Sequence, residues 1–164
     1  MFVLAACAGQ PSVDDFEGRP WEVLKTQLPS YPKAENLLRV HAGSAAAFEF
    51  FVDAASVSVG QGGIVRYTLV ARGEGAAVNV SYEGMRCLPL ERKSYAFGRP
   101  DGTWSPAKLA QWAPVSGTQG HRQYAALAEE FFCPMDRPVR TAGEAVRALR
   151  RGNIPGLAPP RLPE

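Results

Sequence analysis

Two alternating runs joined by a glycine-bearing loop constrain this chain more than any other feature. In Ile64 to Arg72, the residues Val65, Tyr67, Leu69 and Ala71 alternate with Ile64, Arg66, Thr68 and Val70. After Gly73-Glu74-Gly75, Val78, Val80 and Tyr82 alternate with Ala77, Asn79 and Ser81. A period of two sends successive side chains to opposite faces of a sheet. Two such runs around a short Gly loop read as a β-hairpin. The Val65 set is read as the core side, and Arg66 as marking the wetter face.

Further strands are expected at Leu37 to His41, at Ala47 to Val52 and Ser56 to Val59 (one strand or two), and at Arg92 to Phe97. Gly60-Gln61-Gly62-Gly63 and Gly98 to Gly102 read as turns. Trp21, Leu24 and Leu28 share one face of a short helix behind Pro20, which suits a first turn. In the last third, Tyr124, Leu127, Ala128, Phe131 and Phe132 fall at i, i+3, i+4, i+7 and i+8, an amphipathic helical stripe. Thr141 to Glu144 has capping-box spacing, and Gly152 suits the position after a helix end. The order of elements implies α+β: an antiparallel sheet with amphipathic C-terminal helices packed on one face.

At 164 residues the chain fits one domain. Residues 1–7 read as a signal remnant, 8–20 as a tether, 21–152 as the domain and 153–164 as a Pro-rich tail. The net charge of +2 and 46% hydrophobic content exclude a disordered chain and a strongly basic nucleic-acid binder.

The three cysteines locate the protein. Leu4-Ala5-Ala6-Cys7 resembles the lipobox of bacterial lipoproteins, in which the cysteine is acylated and becomes the mature N-terminus. Six residues precede Cys7 and none is Lys or Arg, so a complete signal would need residues upstream. Ala8 rather than aspartate follows Cys7, which suggests outer-membrane sorting. The expected address is the periplasm, with the membrane as partner through the anchor. Cys87 and Cys133 then remain as an even pair that an oxidising compartment lets bridge. The alternatives are two free buried thiols, or a nucleophilic cysteine served by His41 or His121.

A family resemblance spans most of residues 21–134. It rests on Val52-Asp53 with Ser56, on Ile64 to Val70 and on Asn79-Val80-Ser81-Tyr82-Glu83-Gly84-Met85-Arg86-Cys87. Lys93, Tyr95 to Gly98, Gly102, Trp104 and Phe131-Phe132-Cys133 extend it. The chain thus resembles the CNP1-like family, and Tyr-Glu-Gly-x-Arg-Cys is the specific part. The resemblance implies a proteobacterial envelope protein and carries no catalytic residues with it.

The densest polar cluster is Glu83, Arg86, Glu91, Arg92 and Lys93, with Arg66 on the neighbouring strand. Alternation is expected to put Glu91, Lys93, Tyr95 and Phe97 on one face, with Tyr95 and Phe97 inward. In a ligand-binding reading, Arg66, Arg86 and Lys93 converge on a carboxylate or phosphate, oriented by Glu83 or Glu91. In the competing and preferred reading, the same charges form an ion-paired network that holds strand register. No zinc spacing, P-loop or Gly-x-Ser-x-Gly elbow occurs, so no metal, cofactor or catalytic residue is assigned. The expected function is a binding or structural module for an envelope protein or an anionic ligand. The alternative is a cell-wall enzyme using the Glu/Arg/Lys cluster.

Overall fold

The computed structural model describes residues 16–43, 47–75, 77–117, 121–152 and 162. The lipobox Cys7, residues 8–15 of the tether and most of the 153–164 tail lie outside the described residues.

The hairpin expected at 64–82 is the centre of the sheet. Strand β3 (Val65–Arg72) pairs antiparallel with β4 (Val78–Arg86), with Tyr67 opposite Glu83 and Val70 opposite Val80. Around it run β1 (Leu37–Val40), β2 (Glu49–Val59), β5 (Glu91–Gly98), β6 (Trp104–Pro106) and β7 (Ala113–Pro114). The seven strands are antiparallel in the order β1-β2-β3-β4-β5-β6, and β7 pairs with β5. With a few helices around it, this is an α+β fold.

The two segments expected within 47–59 are one strand, bent by extra residues. Asp53 pairs with Thr68, whereas Ser58 pairs with Arg66, so β2 carries surplus residues between them. Ser56 patches the broken ladder. Its hydroxyl accepts from the Thr68 N–H at 2.8 Å and donates to the Asp53 carbonyl at 2.7 Å. A backbone group left unpaired there would carry the cost of an unmade buried hydrogen bond.

The two faces of the sheet bury different parts of the chain. On one, Phe50, Val52, Val65, Tyr67, Leu69 and Met85 share a single apolar cluster with C-terminal side chains. Those come from α2 (Arg122–Ala126), from the π-helical turn Leu127–Phe132 that continues it, and from α3 (Ala142–Gly152). The whole expected stripe from Tyr124 to Phe132 is buried, although its second half is wider than an α-helix. At the start of α3, Thr141 Oγ1 accepts from the Glu144 N–H at 3.1 Å, and the Glu144 carboxylate accepts from the Arg140 N–H at 2.9 Å. Gly152 ends that helix against the Phe131 ring, where a Cβ would come within 2.7 Å.

The other face is dry as well, which corrects the expectation of a wetter side at Arg66. Phe16, Trp21, Leu24 and Leu28, the last three from α1 (Trp21–Leu24) and the turn after it, cluster with Tyr82, Tyr95 and Trp104. Arg66 lies beneath that cover, 4% exposed, with its guanidinium 4.5 Å from the Phe16 ring. Phe16 falls inside the stretch read as a tether, yet it is 8% exposed. Local periodicity gave no sign of this, because a lone aromatic in a polar segment has no pattern to report. Farther along the same face, Leu162 of the tail packs against the cluster of Leu37, Phe51, Val70 and Val80.

Cys87, just past β4, and Cys133, just past the π turn, form a disulfide with Cα atoms 5.5 Å apart. Closing a separation of 46 residues removes unfolded-state entropy equivalent to about 4 kcal/mol. The end of the π turn is thereby tied to the end of β4.

Candidate functional site

The five expected ligand residues do not form one site. Glu83 and Arg86 are three apart on β4, so the pleat sends them to opposite faces. The turn centred between Leu88 and Pro89 pairs Arg86 with Glu91, Met85 with Arg92 and Gly84 with Lys93. Arg86, Glu91, Lys93 and Arg66 therefore share the face covered by Phe16. Glu83 stands with Arg92 on the face that carries Tyr67.

On the Phe16 face Arg86 pairs with Glu91, and Lys93 pairs with Glu17. Arg86 bonds Glu91 through Nε and Nη2, and its guanidinium lies 4.6 Å from the Trp112 ring. Lys93, 3% exposed, donates to Glu17 at 2.8 Å and sits 5.5 Å from the Tyr95 ring. Each cation has a carboxylate or an aromatic face beside it. A cavity of about 430 Å³ opens nearby, and of the five expected residues Arg86 alone borders it.

One expectation on β5 fails for a specific reason. The register shifts between Tyr82 and Glu83, so Ser94 pairs with Glu83 but Ala96 with Tyr82. The surplus residue, Tyr95, stays inward at 3% exposure, and Phe97 is turned over opposite Ser81 and is 45% exposed. A bulge of this kind reverses the facing of every later side chain on its strand.

Glu83 is the centre of the second cluster. It is 2% exposed, and burial pushes its carboxyl above the ordinary glutamate range, against the pull of its hydrogen bonds and of Arg92. Its Oε1 accepts from Ser81 Oγ at 2.7 Å and from the Tyr124 hydroxyl at 3.1 Å, and its Oε2 from the Tyr67 hydroxyl at 3.3 Å. Burial drives both phenols the other way from ionisation: Tyr67 rises well above its ordinary value, and so does Tyr124. They remain hydrogen donors at any physiological pH. The Arg92 guanidinium lies 4.0 Å from the Tyr124 ring.

The expected site residues thus left out Arg92, Tyr124, Tyr67 and Ser81. Arg92 was within reach of the sequence, since the turn at Leu88–Pro89 sets it two residues from the Ser94 that faces Glu83. Tyr124 was not, because it arrives from a helix 41 residues away.

Among the described residues no group of three His, Cys, Asp or Glu could hold a metal ion. No helix among them is long and apolar enough to cross a membrane.

The family model of the CNP1-like family matches residues 16–150. Its first matched residue is Phe16, the aromatic that covers Arg66. No curated protein and no solved structure matches the chain.

Proposed function

The chain belongs to the CNP1-like family, and on that premise we propose an exported, lipid-anchored envelope protein that acts as a binding or structural module. The observation that carries this reading is the Cys87–Cys133 disulfide, because such bonds persist in oxidising compartments and are reduced in the cytosol. The Leu4-Ala5-Ala6-Cys7 lipobox supplies the anchor, and the periplasmic side of the outer membrane is the address. A multiply acylated cysteine holds a domain to a bilayer where a single chain would not. The two C-terminal helices close the Tyr67 face of the sheet, a packing supported by the apolar cluster they share with it.

A binding role is favoured over catalysis by the placement of the carboxylates. The enzyme alternative needs Glu83 and Glu91 in one water-accessible cleft, and they occupy opposite faces of β4 and β5. The Arg86–Glu91 pair, which joins partnered positions of β4 and β5, acts to hold their register beside the disulfide, and Lys93 ties β5 to Glu17.

The test is acyl labelling in envelope-bearing cells that express the gene with its natural upstream sequence. Wild-type protein should incorporate labelled palmitate and sediment with membranes, and Cys7→Ser should do neither. An unlabelled wild-type protein, or one whose Cys87 and Cys133 are alkylated without reductant, rejects the reading.

A further inference from the structure

Arg92 has a supported guanidinium and an open surround. Its Cζ lies over the Tyr124 ring, 4.0 Å from the centroid. That ring is held in turn by its hydroxyl on Glu83, which Ser81 and Tyr67 also grip. The guanidinium feels Glu83 as a charge, but among the described residues it makes no hydrogen bond or ion pair. A stacked arginine keeps its N–H edges free for a planar anion and loses little freedom on binding one.

Two grooves abut this residue. One, of about 540 Å³, runs over the sheet toward Phe50 and Leu69; the other, of about 500 Å³, runs toward Leu109 and Lys108. They share Arg92, Ser94 and Phe97. Both volumes fall within the roughly 300–1,000 Å³ of small-molecule sites. Phe97 and Leu109 are large apolar side chains left 45% and 80% exposed at these grooves. Among the described residues the cations bordering them are Arg92 and Lys108, and the one bordering carboxylate is Glu83, whose oxygens already accept three hydroxyls. Charge complementarity therefore selects an anion; the first groove carries polar side chains such as Asn79, Ser81 and Gln123 beside its apolar ones, and the second, walled by Phe97, Pro106, Ala107 and Leu109, suits an apolar body.

We propose that Arg92 is the headgroup site for a single-chain amphiphile with a monoanionic head, its chain lying along the grooves over Phe97. The inference rests on the reading as a binding module and names its ligand class. It needs neither the anchor nor the compartment, so failed acyl labelling at Cys7 and failed ligand binding are separate results.

The experiment is calorimetric titration of the full unacylated chain, made as Cys7→Ser, with octanoate, decanoate and dodecanoate below their micellar concentrations. One saturable site is expected, with affinity rising along the series toward about fourfold per methylene where burial is complete. Dodecyltrimethylammonium should bind at least tenfold more weakly than dodecanoate. Arg92→Gln should lose at least tenfold in dodecanoate affinity, Arg92→Lys less, and Phe97→Ala should flatten the dependence on chain length. Thermal melts establish that each variant is folded, and Phe97→Ala reads the site even where a substitution at Arg92 unfolds the protein. The proposal is overturned by no binding of dodecanoate at millimolar concentration, by equal binding of the cationic amphiphile, by affinity independent of chain length, or by an unchanged affinity in folded Arg92→Gln.

Discussion

The Tyr124 hydroxyl donates to Oε1 of Glu83 across 3.1 Å, joining the helical segment to the middle of β4 inside the core. The bond matters in two directions. It supplies one of three hydroxyl donors to a carboxylate that burial has stripped of water, and it fixes the ring on which Arg92 rests. Tyr124→Phe keeps the ring and removes the donor. Loss of a hydrogen bond to a buried charged acceptor costs about 1.5–3 kcal/mol. Urea unfolding should show a fall of that size, while Tyr124→Phe keeps its near-ultraviolet dichroism. An unchanged midpoint would mean that the bond contributes nothing.

Glu83 also sets a pH dependence. Its carboxyl binds a proton more tightly in the folded than in the unfolded chain, because burial raises it. Its contribution to stability is therefore complete below the unfolded-state value and is lost as pH rises through the folded-state value. Stability measured upward from about pH 4 should fall across that window, and Glu83→Gln should fall less steeply. Asp53, also raised by burial, leaves a residual slope of the same sign in the variant. Equal slopes in the two proteins would place the titration elsewhere.

Reduction of Cys87–Cys133 returns the freedom of a 46-residue separation to the unfolded chain. Cys87→Ala/Cys133→Ala should lower stability by about 4 kcal/mol in denaturant titrations, within the usual 2–5. The wild type with reductant should match the double variant. A loss below about 1 kcal/mol would show that the helical segment stays on the sheet without the clamp.

Residues 16–20 should behave as part of the domain. Phe16 is 8% exposed, its ring tilted against that of Tyr95 with centroids 5.0 Å apart, and it lies over Arg66. Phe16→Ala should cost about 3 kcal/mol, in the range for a buried aromatic. Glu22→Gln, on the exposed rim of α1, should stay within about 0.5 kcal/mol. Calorimetric melts of the two variants separate a packed segment from a loose tether.

Much of the sheet was legible in the residues. The alternation of Val65, Tyr67, Leu69 and Ala71 against Val78, Val80 and Tyr82 needs only the pleat to become a hairpin. The helical stripe from Tyr124 to Phe132 and the Thr141–Glu144 cap are likewise local patterns with local causes. The separation of Glu83 from Arg86 was legible too, since odd spacing on one strand means opposite faces. Grouping them by proximity in the sequence ignored that parity. Phe97 was not legible: its facing depends on a bulge that forms only when β4 and β5 are paired.

The amino-acid order alone determined the hairpin and the helical stripe, because each follows from the spacing of neighbouring residues. Only the tertiary structure decided that Phe16 roofs Arg66, that Glu83 answers to Tyr124 and Tyr67, and that Arg92 faces open grooves. Those are contacts between segments far apart in the chain, selected by which side chains can share one buried volume, and no local period encodes that choice.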